Sequence, residues 1–222
     1  MRARETSLPI YSKNQELWNT LSHAIGIIFT VILMPFFVMK SMESGDAFRI
    51  VSSIIFLVSL FVLYCGSTLY HGWKPSKTKS VLRVLDHSNI YLLIVGTYAP
   101  YSLIALRSYS NALGWSIFAI ELALGLIGLT LNFINLERFK IISMIDYILM
   151  GWLIIGSFIP LTRAIGFMPG TFLLLLGGIS YTVGAIFYGI GAKKTQWMHL
   201  VFHIFCLVGT ALMAFSIYFC VL

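Results

Sequence analysis

Residues 198–221 read MHLVFHIFCLVGTALMAFSIYFCV, an apolar run with no Asp, Glu, Lys or Arg and with His199 and His203 near its start. As a helix rising about 1.5 Å per residue it is ~36 Å long, enough to cross a hydrocarbon core of about 30 Å. A strand of a transmembrane barrel would alternate apolar and polar residues over about ten positions, and this run does not. In lipid the backbone bonds must be satisfied within the segment, so the run reads as a helix. Residues i and i+4 share a helix face, and the two imidazoles therefore converge at one end of the span.

Working back from this run, six further apolar stretches of similar length occur near Thr20–Met39, Ile50–Tyr70, Leu85–Leu106, Ala112–Asn132, Ile142–Leu161 and Thr171–Ile190. The expected fold is all-α and polytopic, seven transmembrane helices forming a single membrane domain over residues 1–222, with residues 1–19 as a polar N-terminal tail. Composition agrees. Hydrophobic residues make up 59% of the chain and charged residues 10%, with a mean hydropathy of +0.90, whereas soluble domains carry about 25% charged residues. The tail holds Arg2, Arg4, Glu5, Lys13 and Glu16 and does not resemble a signal peptide. Cys65, Cys206 and Cys220 lie within apolar runs without C-x-x-C spacing and read as packing residues.

The formal charge of +7 resides in the connections, where its partner is an anionic lipid surface and not nucleic acid. Arg2, Arg4, Lys13, Lys74, Lys77, Lys79, Arg83, Arg138, Lys140, Lys193 and Lys194 fall on one side of a seven-span topology. Only Lys40, Arg49, Arg107 and Arg163 fall on the other. The positive-inside rule then places the N-terminus in the cytoplasm and the C-terminus outside, opposite to a G-protein-coupled receptor. The Lys74–Arg83 connection is expected to be a lipid-facing basic loop. No lysine occurs in the last span, which excludes a retinal-binding rhodopsin.

With that topology the scattered polar residues form one layer near the cytoplasmic face. His23 opens the first span, Ser67 and His71 close the second, Asp86 and His87 open the third, Asp146 opens the fifth, and His199 and His203 open the seventh. Catalytic zinc commonly takes three protein ligands and water, and His71 is the natural third beside His199 and His203. Such an ion lowers the pKa of its water to about 7 and polarises a carbonyl. Asp86 is the candidate carboxylate to accept the water's proton, and Ser67, one turn before His71, could hydrogen-bond the water or a ligand carbonyl. His87 is about 100° round the helix from Asp86 and is expected to face elsewhere, in packing or in support of the site. The competing reading makes these histidines interfacial anchors or interhelical hydrogen-bonding groups.

Glu16-Leu17-Trp18-Asn19 followed by His23, then Ser67-x-x-x-His71, then His199-x-x-x-His203, resembles the three-motif pattern of the progestin and adipoQ receptor superfamily. Asp86-His87-Ser88-Asn89-Ile90-Tyr91, Gly96-Thr97-Tyr98-Ala99-Pro100 and Gly177-Gly178-x-x-Tyr181-Thr182-x-Gly184-Ala185 resemble its bacterial branch, the hemolysin III family. The likeness runs from about Glu16 to the C-terminus. It implies a seven-helix fold with an inside N-terminus and a zinc ion held by His71, His199 and His203, with Asp86 as the carboxylate on the zinc-bound water and Ser67 as the serine of the second motif. Glu16, Asn19, His23 and His87 would support those ligands. Adiponectin-receptor and alkaline-ceramidase relatives point to hydrolysis of a lipid amide such as ceramide. The family pattern has a further histidine where this chain has Met213, a departure that leaves the three ligands intact.

Two other classes of function stand beside this one. A sensor, receptor or proton- or ion-conducting protein with structural zinc would use the same ligands, and Glu121, near mid-span and roughly 15 Å of helix from the histidine layer, is its candidate proton site. A cytolytic, pore-forming protein is suggested by the family name. Pore-forming toxins use amphipathic insertable segments, however, and these runs are continuously apolar.

Overall fold

The computed structural model describes residues 8–222, with side chains throughout except at 192–194. Arg2, Arg4 and Glu5 lie outside the described residues, as do the side chains of Lys193 and Lys194. All regular structure among the described residues is helical: α1 (Lys13–Met42), α2 (Ala47–Gly72), α3 (Lys77–Pro100), the single turn α4 (Arg107–Tyr109), α5 (Asn111–Trp152), α6 (Phe158–Ile165), α7 (Phe172–Lys194) and α8 (Trp197–Ser216). Five helical stretches are long and apolar enough to cross a membrane: Lys13–Met42, Ala47–Gly72, Lys77–Tyr109, Asn111–Gly191 and Trp197–Val221. The protein is a helical membrane protein.

Local chemistry sets the helix starts. Ser12 and Gln15 form a reciprocal capping box at α1, Asp46 accepts the Phe48 N–H at 2.9 Å, and Ser76 accepts the Lys79 N–H at 3.2 Å. The capping box begins α1 at Lys13, ahead of the apolar run that opens at Thr20. The segment 13–19 expected as tail is therefore helical, and Glu16, Asn19 and His23 come onto one face at i, i+3 and i+7. Within α5, Asn135 is extended (φ −167°, ψ 95°). Its Oδ1 accepts the Arg138 N–H at 3.0 Å, so Asn135 caps a new helical run. A second break lies at Met168 (φ −109°, ψ 126°) between α6 and α7.

The helices pack as a ring in which α1 contacts α2, α2 contacts α3, α3 contacts α5, α5 contacts α7, α7 contacts α8 and α8 returns to α1. Close approach depends on small residues. A Cβ on Gly128 would lie 2.1 Å from the Tyr91 Cζ, and one on Gly26 would lie 2.4 Å from the Tyr64 Cδ1. The Tyr64 hydroxyl donates to Thr210 at 2.7 Å, joining α2 to α8. Outward faces are apolar and inward faces carry polar groups: Ile28 is 60% exposed whereas Thr30 on the same helix is 0%.

One expectation is corrected. Lys74 and Lys77 are exposed, but Lys79 and Arg83 are buried and point into the protein instead of to a lipid surface. The reason is their spacing on α3: residues 79, 83, 86 and 90 share one helical face, and that face carries Asp86 into the interior.

Candidate metal centre

The end of α2 and the start of α8 bring His71, His199 and His203 together, with one ligating nitrogen from each lying within 4.8 Å of the others. The His71 and His199 Nε2 atoms are 3.0 Å apart. Two nitrogens bound to one tetrahedral zinc at about 2.0–2.1 Å would be roughly 3.3 Å apart, so the spacing suits a shared ion. All three imidazoles are buried.

The hydrogen-bond network assigns the tautomers. The His71 Nδ1 donates to Glu16 Oε2 at 2.7 Å, which leaves Nε2 unprotonated. Ser22 donates its hydroxyl to the Asn19 carbonyl at 2.8 Å. The Ser22 oxygen is then left to accept from the His203 Nδ1 at 2.9 Å, and again Nε2 is bare. Orienting partners of this kind, a carboxylate and a hydroxyl on the far nitrogen, are what metal-binding histidines require.

Orphaned polar atoms surround this cluster. The His199 Nδ1, both His23 ring nitrogens, both amide atoms of Asn19 and the Ser67 hydroxyl are buried with no hydrogen-bond partner among the described residues. The His23 ring stacks on His203 with centroids 3.6 Å apart. An uncompensated polar atom in a low-dielectric interior is costly, so this concentration fits a polar occupant.

A cavity of about 660 Å³ opens beside the histidines. At its polar end stand His23, Ser67, Asp86, His199 and His203. It then follows α3 to Tyr98 and Tyr101, where Leu174 and Met213 also line it. From Asp86 to Tyr101 is about 22 Å of helix. A pocket of this size, mostly apolar with polar groups at one end, suits an amphipathic ligand. Asp86 is buried, with Oδ2 3.7 Å from the His87 Nδ1. That nitrogen donates instead to the Arg83 carbonyl at 2.9 Å. His87 borders the same cavity and approaches the Tyr188 hydroxyl at 3.3 Å. It does not face elsewhere, because helices on several sides enclose a space wide enough for two α3 residues 100° apart to reach. Glu121 is also fully buried, with neither oxygen partnered among the described residues, but it does not border this cavity. Asp146 is half-buried and lies outside the lining.

Several residues at the site escaped sequence reasoning. The Tyr11 ring packs 5.6 Å from His71 and 5.5 Å from His199, and burial raises its hydroxyl pKa above the ordinary value. Lys79, Arg83, Ser22 and Tyr188 complete the surroundings. For Lys79 and Arg83 a signal existed in the helical spacing to Asp86. Tyr11 precedes the first helix, and no periodicity marks it.

A model of the family described as "Haemolysin-III related" matches residues 11–214. The "Hemolysin-3 homolog" of Bacillus subtilis (strain 168) is 38% identical over 210 residues, covering 95% of this chain and 96% of that protein. "Hemolysin-3" of Bacillus cereus is 39% identical over 208 residues, covering 94% and 92%. The matched region contains the whole histidine cluster, its orienting partners and all of the cavity lining except Leu8 and Pro9, and the chain belongs to the haemolysin III-related family.

Proposed function

We propose that this protein is a zinc-dependent hydrolase of lipid amide bonds, ceramidase-like, that crosses the bacterial plasma membrane seven times with its N-terminus in the cytoplasm. Seven crossings are supported by the stretch Asn111–Gly191. As one straight helix its 81 residues would extend about 120 Å, several times the hydrocarbon core. Its breaks at Asn135 and Met168 fall between apolar runs, which divides it into three crossings. The imbalance of Lys and Arg supports the orientation.

The observation that carries the enzymatic reading is the amphipathic cavity that His199 and His203 of the cluster line. His71, His199 and His203 would hold the ion, and zinc there would acidify water and polarise a carbonyl. Apolar walls from Leu93 to Met213 accept the acyl chain, which sets the amide at the polar end. The Ser67 hydroxyl is free to donate to the amide carbonyl. Asp86 takes a proton from water as its oxygen bonds to the carbonyl carbon, and returns it to the amine nitrogen as the C–N bond breaks.

A sensor or receptor using the same ligands structurally needs a closed site with no access, and the adjoining cavity favours the enzyme. The names of the Bacillus relatives carry a lytic reading; membrane disruption by an overproduced integral protein would account for lysis without a pore. Zinc content of detergent-purified wild type, His199→Ala and Asp86→Ala, followed by lipid-amide hydrolysis on the same samples, tests the proposal. It expects near-stoichiometric zinc lost in His199→Ala, and zinc retained with hydrolysis lost in Asp86→Ala. Zinc without hydrolysis of any lipid amide would move the assignment to a sensor. Folded protein without zinc would return the histidines to packing.

A further inference from the structure

Lys79 is 3% exposed, and its three ammonium protons meet three acceptors. These are Glu16 Oε1 at 2.7 Å, the His71 carbonyl at 3.3 Å and the Trp73 carbonyl at 2.9 Å. The second oxygen of the same Glu16 carboxylate receives the His71 Nδ1 at 2.7 Å. One side chain from the first turn of α3 thus ties the first turn of α1 to the last turn of α2, and it grips His71 both through Glu16 and through its backbone. A buried ammonium is retained only when paired and fully hydrogen-bonded, as this one is.

We propose that Lys79 is a positioning residue for the metal centre: by fixing the Glu16 carboxylate it locks the His71 imidazole ring, with Nδ1 protonated and Nε2 turned toward His199 and His203. This inference rests on the metal reading of those histidines. Two physical effects of Lys79 oppose each other. As a cation near a bound dication it repels the metal, so losing the charge alone would tighten binding. As the clamp on Glu16 it preorganises a ligand, so losing it would weaken binding, because partners of ligating histidines are worth about 10–100-fold in metal affinity. Lys79 is saturated by acceptors that all belong to, or hold, the His71 segment, and the clamp is expected to dominate.

The test is zinc affinity, measured by competition with a chromophoric chelator on the full-length protein in detergent, together with the melting temperature of the metal-free form. Lys79→Met is expected to bind zinc about tenfold more weakly than wild type. Lys79→Arg keeps a donor for Glu16 and is expected to recover most of the loss. In a Glu16→Gln background, Lys79→Met is expected to add less than it does in wild type, because one amide oxygen cannot hold both the Lys79 and the His71 protons and only the contact with the His71 carbonyl is left to lose. Unchanged or tighter binding in Lys79→Met would overturn the proposal, as would full additivity with Glu16→Gln. If Lys79→Met fails to fold, Lys79→Ala and Lys79→Arg carry the comparison, and equal affinity in Lys79→Ala and wild type overturns it. Absence of zinc from folded wild type would overturn the metal reading and this inference together, whereas zinc-replete wild type with an indifferent Lys79 would overturn this inference alone.

Discussion

His71 donates its Nδ1 proton to Glu16 across 2.7 Å and presents Nε2 to His199 at 3.0 Å, so a residue in the first turn of α1 dictates which nitrogen the end of α2 offers to the site. Because the ligands come from α2 and α8, metal binding would also couple these helices. A ligand present at about a thousand times its Kd stabilises the folded state by about 4 kcal/mol. Chelation is therefore expected to lower the melting temperature of wild type in detergent and to leave His203→Ala unchanged. An equal response in both would place the stabilising ion elsewhere.

Ser22 offers the complementary case on the opposite ligand. Ser22→Ala removes the acceptor for the His203 Nδ1 and frees that imidazole to adopt the other tautomer. Zinc affinity is expected to fall by about tenfold, with little change in the stability of the metal-free protein. Chelator competition measures the first and thermal unfolding the second.

Tyr98 makes a stability prediction away from the metal. Its hydroxyl donates to the Met150 carbonyl at 2.8 Å and accepts the Ile154 N–H at 2.8 Å, bridging the point where α5 tightens into the turn Leu153–Ser157. Tyr98→Phe takes the acceptor from the buried Ile154 N–H, while the Met150 carbonyl keeps the Leu153 N–H, and the expected cost is about 1–3 kcal/mol. Unfolding in a denaturing detergent titration reads that loss, and zinc stoichiometry should stay at the wild-type value.

Acid should loosen the segment after Asn135. Glu137 pairs with Arg83 on α3 and lies 3.4 Å from Lys140. Burial raises its carboxyl, but Arg83 and then Lys140 more than offset that and hold it below its ordinary value of 4.5. A depressed folded-state pKa contributes stability above the unfolded value, and that contribution disappears as pH falls through the folded one. Hydrogen-exchange protection around residues 135–140, corrected for the intrinsic pH dependence of amide exchange, is expected to be constant above about pH 4.5 and to fall below it. Glu137→Gln should show the faster exchange already at neutral pH and lose the acid step; an acid step that survives the substitution would assign it to another group.

The run 198–221 and its six counterparts were enough to establish a helical membrane protein, because length and continuous apolarity are properties of each segment alone. Likewise His199 and His203 had to share a face, and Ser67 and His71 had to share another, since i and i+4 coincide on any helix. Helix starts were less legible: the Ser12–Gln15 capping box, which brings Glu16 and Asn19 onto the face of His23, is a hydrogen-bonding signal that hydropathy does not register. Only the tertiary structure decided which acids receive the charges that turn inward. Lys79 and Arg83 share one face of α3 with Asp86, and their burial there is compensated because α1 and the run of α5 just after Asn135 place Glu16 and Glu137 to receive them. Tyr11 over the histidines and the cavity shared by Asp86 and His87 arise in the same way. A side chain's direction is set by its own helix, but the partner that stabilises it is supplied by another, and that pairing exists only once the helices have packed.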